Sequence, residues 1–394
     1  MIITHLTDTD LYKLNMLRVY FYHFANNTAE FVFKCRNKNI KFTLEMAKEI
    51  EDEINAVANL RFTKEEIDFI SNIPYHKNAT GFIEFLRMYQ LNKDYIKIMY
   101  TPQSQELVIR AKGPLFQVSM WEIYVLAIVQ EVYWKHISTG GNVRDEWKKQ
   151  GIATLRKELQ KIKNENIKIT EFGTRRRHSK SYHDEVLQIL MKEIPQQLFG
   201  TSNVYYAMKY NLRPVGTMAH EYMCLGQGLN NVPIIESQRH MLDVWSHEYD
   251  GNLGTALTDT LGDDKWLKDF TGRFAKLFDG LRHDSGDPCI WGDKMIQHYQ
   301  KLNIDPKTKY LMFSDSLNID RAIKINNYFR DRIPVSFGIG TFLTNNIPSL
   351  TPLNNVFKMT SANNRPVAKL SADPGKAMCE DEKYLAYLQY AIAQ

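Results

Sequence analysis

A few short clusters carry most of the chemistry open to this chain. Glu171-Phe172-Gly173-Thr174-Arg175-Arg176-Arg177 sets an aromatic face beside three guanidinium groups. A flat ring can stack on Phe172, while the rigid donor fork of arginine suits a carboxylate or phosphate. In Gly280-Leu281-Arg282-His283-Asp284-Ser285-Gly286-Asp287-Pro288, Arg282 can meet an anion while Asp284 and Asp287 hold Mg²⁺ directly or through water. Phe313-Ser314-Asp315-Ser316-Leu317-Asn318 and Ser336-Phe337-Gly338-Ile339-Gly340-Thr341 combine glycines with hydroxyls, as a phosphate cradle would. Gly216-Thr217-Met218-Ala219-His220-Glu221 leaves one histidine among small neighbours, where neutral imidazole could accept a proton or a phosphoryl group. Taken singly, these are also ordinary features: a basic helix start, a polar turn, a loop, a structural histidine. Together they suit a flat acidic ring meeting a polyphosphorylated sugar with Mg²⁺. Transfer at a sugar C1 is oxocarbenium-like, so catalysis would rest on positioning, nearby carboxylates and a neutralised leaving group. His240 and His247 lie on less patterned sequence and read as structural.

The clusters share a setting. Seven short apolar runs between residues 167 and 341, beginning with Ile167–Ile169 and including Pro214–Val215, each stop at a small, polar group. Such strand ends meet at one mouth in parallel α/β folds, and seven units favour a closed or nearly closed barrel. Before Lys112-Gly113-Pro114 the pattern is mixed. Thr7-Asp8-Thr9-Asp10 offers caps to a helix from Leu11, and residues 30–36 read as a strand. Residues 43–57 and 63–71 read as helices, and 96–100 with 106–110 as a hairpin. Long helices are expected over 116–136, 144–164 and 179–193. After Pro348 come short strands at Val356–Met359 and Val367–Leu370 and a helix near Glu382–Ala393. The expected division is an α/β domain over 1–112, packed by 346–394, and a barrel domain over 113–345.

Composition narrows the function. With 394 residues, 44% hydrophobic and 24% charged, the chain can bury a large core. Its net charge of +5 is spread along the sequence rather than gathered, which argues against nucleic acid. The apolar stretch Leu115–Trp134 is interrupted by Gln117, Ser119, Glu122, Gln130 and Glu131, so it reads as a buried helix rather than a membrane span. No secretory signal is legible, and Cys35, Cys224, Cys289 and Cys379 form no Cys-x-x-Cys pair; a cytoplasmic protein is expected.

At these residues the chain closely resembles the nicotinate phosphoribosyltransferases of the bacterial-type, NAD-salvage branch. The resemblance covers Asp8–Leu14, Glu171–Arg177, Phe199-Gly200-Thr201-Ser202-Asn203-Val204, Gly216–Glu221, Ala256-Leu257-Thr258-Asp259-Thr260, Gly280–Pro288, Phe313–Asn318, Phe337–Thr341, and Lys369-Leu370-Ser371 with Pro374-Gly375-Lys376. It implies a type II phosphoribosyltransferase fold: an irregular α/β barrel with an N-terminal α/β domain completed by C-terminal strands. The implied reaction joins nicotinate to phosphoribosyl pyrophosphate, with ATP as co-substrate and Mg²⁺ as cofactor. His220 is then a transient phosphohistidine oriented by Asp259. Phe172 and Tyr12 stack the ring, Tyr12 reaching from a neighbouring subunit of a homodimer. Arg175, with Thr174 and Ser202, meets the ring carboxylate. Arg282, Asp284 and Ser285 handle ribose and pyrophosphate–Mg²⁺, and Asp315, Ser316, Gly338, Gly340 and Thr341 cradle the 5′-phosphate. His178 and Tyr222 depart from the residues usual in relatives, without touching a chemical role. The nearest rival is a nicotinamide phosphoribosyltransferase, disfavoured because those relatives carry an acidic residue at the place of Ser202. An inactive nucleotide- or nucleic-acid-binding barrel is the rival from another class.

Overall fold

The computed structural model describes residues 1–138, 142–370 and 379–393; Ser371 and Pro374-Gly375-Lys376 of the C-terminal motif lie outside the described residues. Its strands are β1 (Thr28–Cys35), β2 (Ile96–Thr101), β3 (Glu106–Pro114), β4 (Ile169–Glu171), β5 (Leu198–Thr201), β6 (Thr255–Leu257), β7 (Gly280–His283), β8 (Tyr310–Phe313), β9 (Val335–Ile339), β10 (Asn355–Ala362) and β11 (Arg365–Pro366). They form two sheets. One is antiparallel in the order β11-β10-β1-β3-β2, and it contains the expected hairpin as β2–β3. Alternation drives its packing: Leu107, Ile109 and Ala111 of β3 are buried while their neighbours are not. β10 pairs with β1 from Ala29↔Ala362 to Cys35↔Asn355, so strands near the end of the chain complete the N-terminal sheet.

The other sheet is parallel, in the order β5-β4-β9-β8-β7-β6. Six of the seven apolar runs are its strands. The seventh, Pro214–Val215, makes one parallel bridge, Thr201↔Pro214, beside β5. Proline has no N–H to donate, so a ladder cannot be carried through it. On the far side the Thr217 hydroxyl donates to the Thr255 carbonyl of β6 at 2.9 Å. The barrel is therefore irregular, its seam held among the described residues by a side chain and not by a ladder.

Helices follow the expected caps in most places. Thr43 caps Leu44–Ala58, and Thr63 with Glu66 forms a capping box on Lys64–Ser71. The apolar stretch becomes Leu115–Val118 and Trp121–Ile137; by length and composition it could cross a membrane, yet 83% of its apolar window is buried inside the fold. Trp121–Ile137 packs on Leu44–Ala58, on β10 and on the turn Thr174–Arg176, which ties both sheets to the site. Two expectations change. Residues 367–370 are not a strand: their N–H groups go to the Thr360 carbonyl, the Gln227 side chain and the Thr260 carbonyl, not to one neighbouring strand. Asp10 stands at the N-cap of Leu11–His23 but makes no cap bond.

Residues 7–11, a turn and bend leading into the first helix, lie against 202–205, through Leu11 N–H to Ser202 O, Val204 N–H to Thr9 O and Tyr205 N–H to Thr7 O. They are locked by Asp8, whose carboxylate takes two bonds from Arg177, at 2.7 and 2.9 Å, and a third from Asn203 at 2.9 Å. Asp8 and Arg177 are fully buried. Burial would raise the Asp8 carboxyl, but Arg177 outweighs it and holds the group far below the usual range. Removing one member strands a buried charge. Asp8→Ala should cost about 3–5 kcal/mol in urea denaturation, and Asp8→Leu with Arg177→Met should recover most of it; additive losses would show that the pair is not what locks the segment.

Candidate active site

β4 delivers Phe172 straight into the barrel mouth, where Phe172 N–H donates to the Ile339 carbonyl at 2.9 Å. Gly338 lies under the ring: a Cβ there would overlap Phe172. A Cβ on Gly340 would come within 2.9 Å of the Phe172 carbonyl. Both glycines thus seat Phe172 as well as line the space in front of it.

The three successive arginines do three things. Arg177 holds Asp8. Arg176 donates to the Asn355 carbonyl and Asn354 side chain, tying the turn to the start of β10. Arg175 faces both cavities described below, its Nη1 3.4 Å from Glu122 Oε1. Glu122 is fixed in turn by Lys13, fully buried, with Nζ 2.6 Å from Glu122 and 2.5 Å from Glu221.

Two cavities meet here. One, of about 900 Å³, runs along the barrel strands and is lined by Asp10, Tyr12, Phe172, Arg175, Ser202 and Arg282 among others. The second, of about 650 Å³, is lined by His220, Asp284, Asp315, Ser316, Gly338, Gly340 and Thr341. Phe172, Arg175 and Arg282 belong to both. Tyr12 was expected from a neighbouring subunit, but it comes from the same chain. Pairing of 7–11 with 202–205 starts its helix beside Ser202, so Tyr12 reaches its own barrel mouth.

In the second cavity His220 Nε2 is 2.7 Å from Asp259 Oδ1, and Nδ1 is 3.7 Å from Asp284 Oδ2. The ionised Asp259 fixes the proton on Nε2, which leaves the Nδ1 lone pair available. Asp259 also accepts from Ser285 at 2.6 Å and lies 2.7 Å from Lys369 Nζ, which is 3.6 Å from Asp284. Burial and then Lys369 lower the His220 pKa despite Asp259, so the ring is neutral at pH 7. Burial would raise Asp284, but Arg282, with His220 and Lys369, holds it at about 2. Arg282 Nε donates to Ser314 Oγ at 2.7 Å and Nη2 to Asp284 at 3.3 Å.

The structure reassigns several expected residues. Ser285 holds Asp259 and lines neither cavity. Thr174 is fully buried behind the wall, 3.4 Å from Asn203 Nδ2. Asp287 is exposed, and its Oδ1 caps Pro288–Lys301 through the Cys289 and Ile290 N–H groups. It is not grouped with Asp284; the three residues close enough to share a cation are His220, Asp259 and Asp284. His178 and Tyr222 sit in the core, the former among Trp134, Trp147 and Tyr182, the latter bonded to the Met241 carbonyl.

Some site residues were not singled out from the sequence. Lys369 belongs to a noted motif but had no role; Lys13 and Glu122 lie in apolar helical patterns; Arg36 and Lys358 lie in strand patterns. Six cationic side chains (Arg36, Arg175, Arg176, Arg282, Lys358 and Lys369) line the second cavity. Burial and then Arg36 push Lys358 down to about 8, and burial with Arg175 pushes Arg176 down to about 10. Six cations against the four carboxylates Glu122, Glu221, Asp284 and Asp315 leave the lining with a positive excess that suits an anionic ligand.

Residues 167–393 match the profile of the nicotinate phosphoribosyltransferase (NAPRTase) family, and residues 7–130 match that of its N-terminal domain. The chain belongs to this family. It is 43% identical to the nicotinate phosphoribosyltransferase of Chromobacterium violaceum, over 98% of this chain and 96% of the relative. Against that of Burkholderia ambifaria it is also 43% identical, covering 100% and 98%. The crystal structure of nicotinate phosphoribosyltransferase from Vibrio cholerae superposes with a TM-score of 0.92 at 36% identity, covering 100% of this chain and 94% of that one. That from Porphyromonas gingivalis gives 0.92 at 34%, covering both fully.

The geometry gives Lys369, a motif residue with no expected role, a place between Asp259 and Asp284. Lys369→Met removes a cation that lowers the His220 pKa, so the imidazole should titrate at higher pH than in the wild type by NMR. A fall would mean that Lys369 acts elsewhere.

Proposed function

We propose that this chain joins nicotinate to phosphoribosyl pyrophosphate in the cytoplasm, with ATP hydrolysis coupled through phosphorylated His220. What carries the reading is that Phe172, Arg175 and Arg282 are walls of both cavities. The ring lies between Phe172 and Tyr12, its carboxylate toward Arg175 and Ser202. The sugar phosphates lie in the cationic cavity, the 5′-phosphate at Asp315, Ser316, Gly338, Gly340 and Thr341. The ring nitrogen attacks the ribose C1, the C1–O bond to pyrophosphate breaks, and Arg282 with Lys369 takes up the charge of the leaving group.

ATP enters the same cavity. His220 Nδ1 attacks the γ-phosphorus, the bond to ADP breaks, and the Nε2 proton stays on the hydrogen bond to Asp259. Water later cleaves the phosphohistidine to phosphate. Asp259 and Ser285 orient the ring, and Lys369 and Arg282 offset the Asp284 charge that faces Nδ1. The donor set also fits magnesium: Asp284, beside His220 on the cavity wall, would hold the ion, which would neutralise a diphosphate bound there. A homodimer is proposed on the family resemblance, and Tyr12 in cis means that its sites do not borrow that residue.

His220→Ala should abolish phosphate incorporation from labelled ATP while leaving slow, ATP-independent transfer; full coupling in the variant would refute the phosphohistidine. Arg175→Lys, which loses the fork, should raise KM for nicotinate by roughly ten- to a hundredfold with little change in kcat. Nicotinamide is the second reading to assay beside nicotinate. Asp10, a carboxyl bonded to Ser202 in the ring pocket, could accept from an amide, and a strong preference for nicotinamide would displace the first reading.

A further inference from the structure

Asp10 sits where a helix is ordinarily capped, yet its carboxyl is turned away from the helix. The Ser202 hydroxyl donates to its Oδ1 at 2.7 Å. The side chain is nearly sealed from water, at 3% exposure, yet it lines the first cavity beside Tyr12, Phe172, Arg175 and Ser202. Granted the reading that the ring carboxylate docks at Arg175 and Ser202, nicotinate brings a second carboxylate into a pocket that already holds one. Two carboxylates meeting at one hydroxyl, beside a guanidinium already 3.4 Å from Glu122 and with one of them buried, do not both stay ionised; one of them takes a proton.

We propose that Asp10 is the proton-carrying selector of the ring pocket: it takes up a proton from solvent as nicotinate binds, and its O–H then donates to the ring carboxylate. Ionised, the same carboxyl is only an acceptor and suits the N–H₂ of an amide. Protonation of one buried group thus decides whether the pocket favours acid or amide. The groups facing it are Arg175 and Thr174 of the turn after β4, Glu171 at the end of β4, Ser202 after β5, and Tyr12 from its own helix. Burial pushes the Asp10 carboxyl up most strongly, Arg175, Ser202 and Thr174 pull it down, Glu171 pushes it up, and the balance is upward. An incoming anion adds to that direction.

Calorimetric titration of the full-length protein with nicotinate at about pH 8, in buffers of different ionisation enthalpy, counts the protons. Wild type should take up close to one proton per nicotinate bound. Asp10→Asn, which can still donate through its amide, should bind nicotinate with no uptake. The ratio of kcat/KM for nicotinate over nicotinamide should fall about tenfold per pH unit above the Asp10 pKa in wild type, and stay flat in Asp10→Asn. Absence of uptake in wild type, or equal uptake in the variant, overturns the proposal; if the variant does not fold, the wild-type count decides. Arg175→Ala separates the two layers. Lost affinity with no proton count sinks the role of Asp10 alone, whereas unchanged affinity sinks the pocket assignment and Asp10 with it.

Discussion

A carboxylate and a guanidinium withdrawn from water must satisfy each other or cost several kcal/mol apiece, and Asp8 and Arg177 do so with two parallel bonds. That requirement shapes everything near the barrel mouth. Because buried Asp8 is held by Arg177, Asn203 and Lys180, the segment before the first helix has one register on residues 202–205, just past β5. The register brings Tyr12 and Asp10 to the ring pocket and Lys13 to the interior. It also fixes the turn from the other side, since Arg177 is two residues from Arg175. One buried ion pair therefore sets the geometry of a pocket it does not line.

A second chain of charges begins where the first ends. Arg175 leans on Glu122, Glu122 and Glu221 share Lys13, and Glu221 takes further bonds from Ser119 and Tyr20. Glu221 follows His220. The ring pocket and the phosphoryl-accepting histidine are thus anchored to the same buried lysine, with charges that balance only when all members are present. In the second cavity the cations are partly matched in the same way, Arg175 by Glu122, Arg282 by Asp284 and Lys369 by Asp259.

What could be read in the sequence was what depends on neighbours along the chain. Strands that stop at Gly, Ser, Asp or Arg announced the barrel mouth, and six of the seven runs are strands. The capping threonines, the β2–β3 hairpin and the buried helix Trp121–Ile137 followed from local periodicity. The misses involve partners far apart. Lys13 and Glu122 look like polar interruptions of apolar helices until the fold sets Lys13 between Glu122 and Glu221. Ser285 and Asp287 sit in a motif rich in donors, but only the fold shows that one serves Asp259 and the other a helix end. Pro214–Val215 has the hydropathy of a strand without the donor that a ladder requires. Tyr12 was misplaced because its distance along the chain says nothing of the pairing that carries it across.

β1 owes one of its two edges to β10, and the same late stretch of chain carries Lys358 and, just after β11, Lys369. During synthesis from the N-terminus, that edge stays unpaired until residues 355–362 have been made, a template for other strands until then. The histidine, its aspartate and the arginines are all in place before the lysine that lies between His220's two carboxylates. Completion of the sheet and completion of the site wait for the same stretch of chain, residues 355–369.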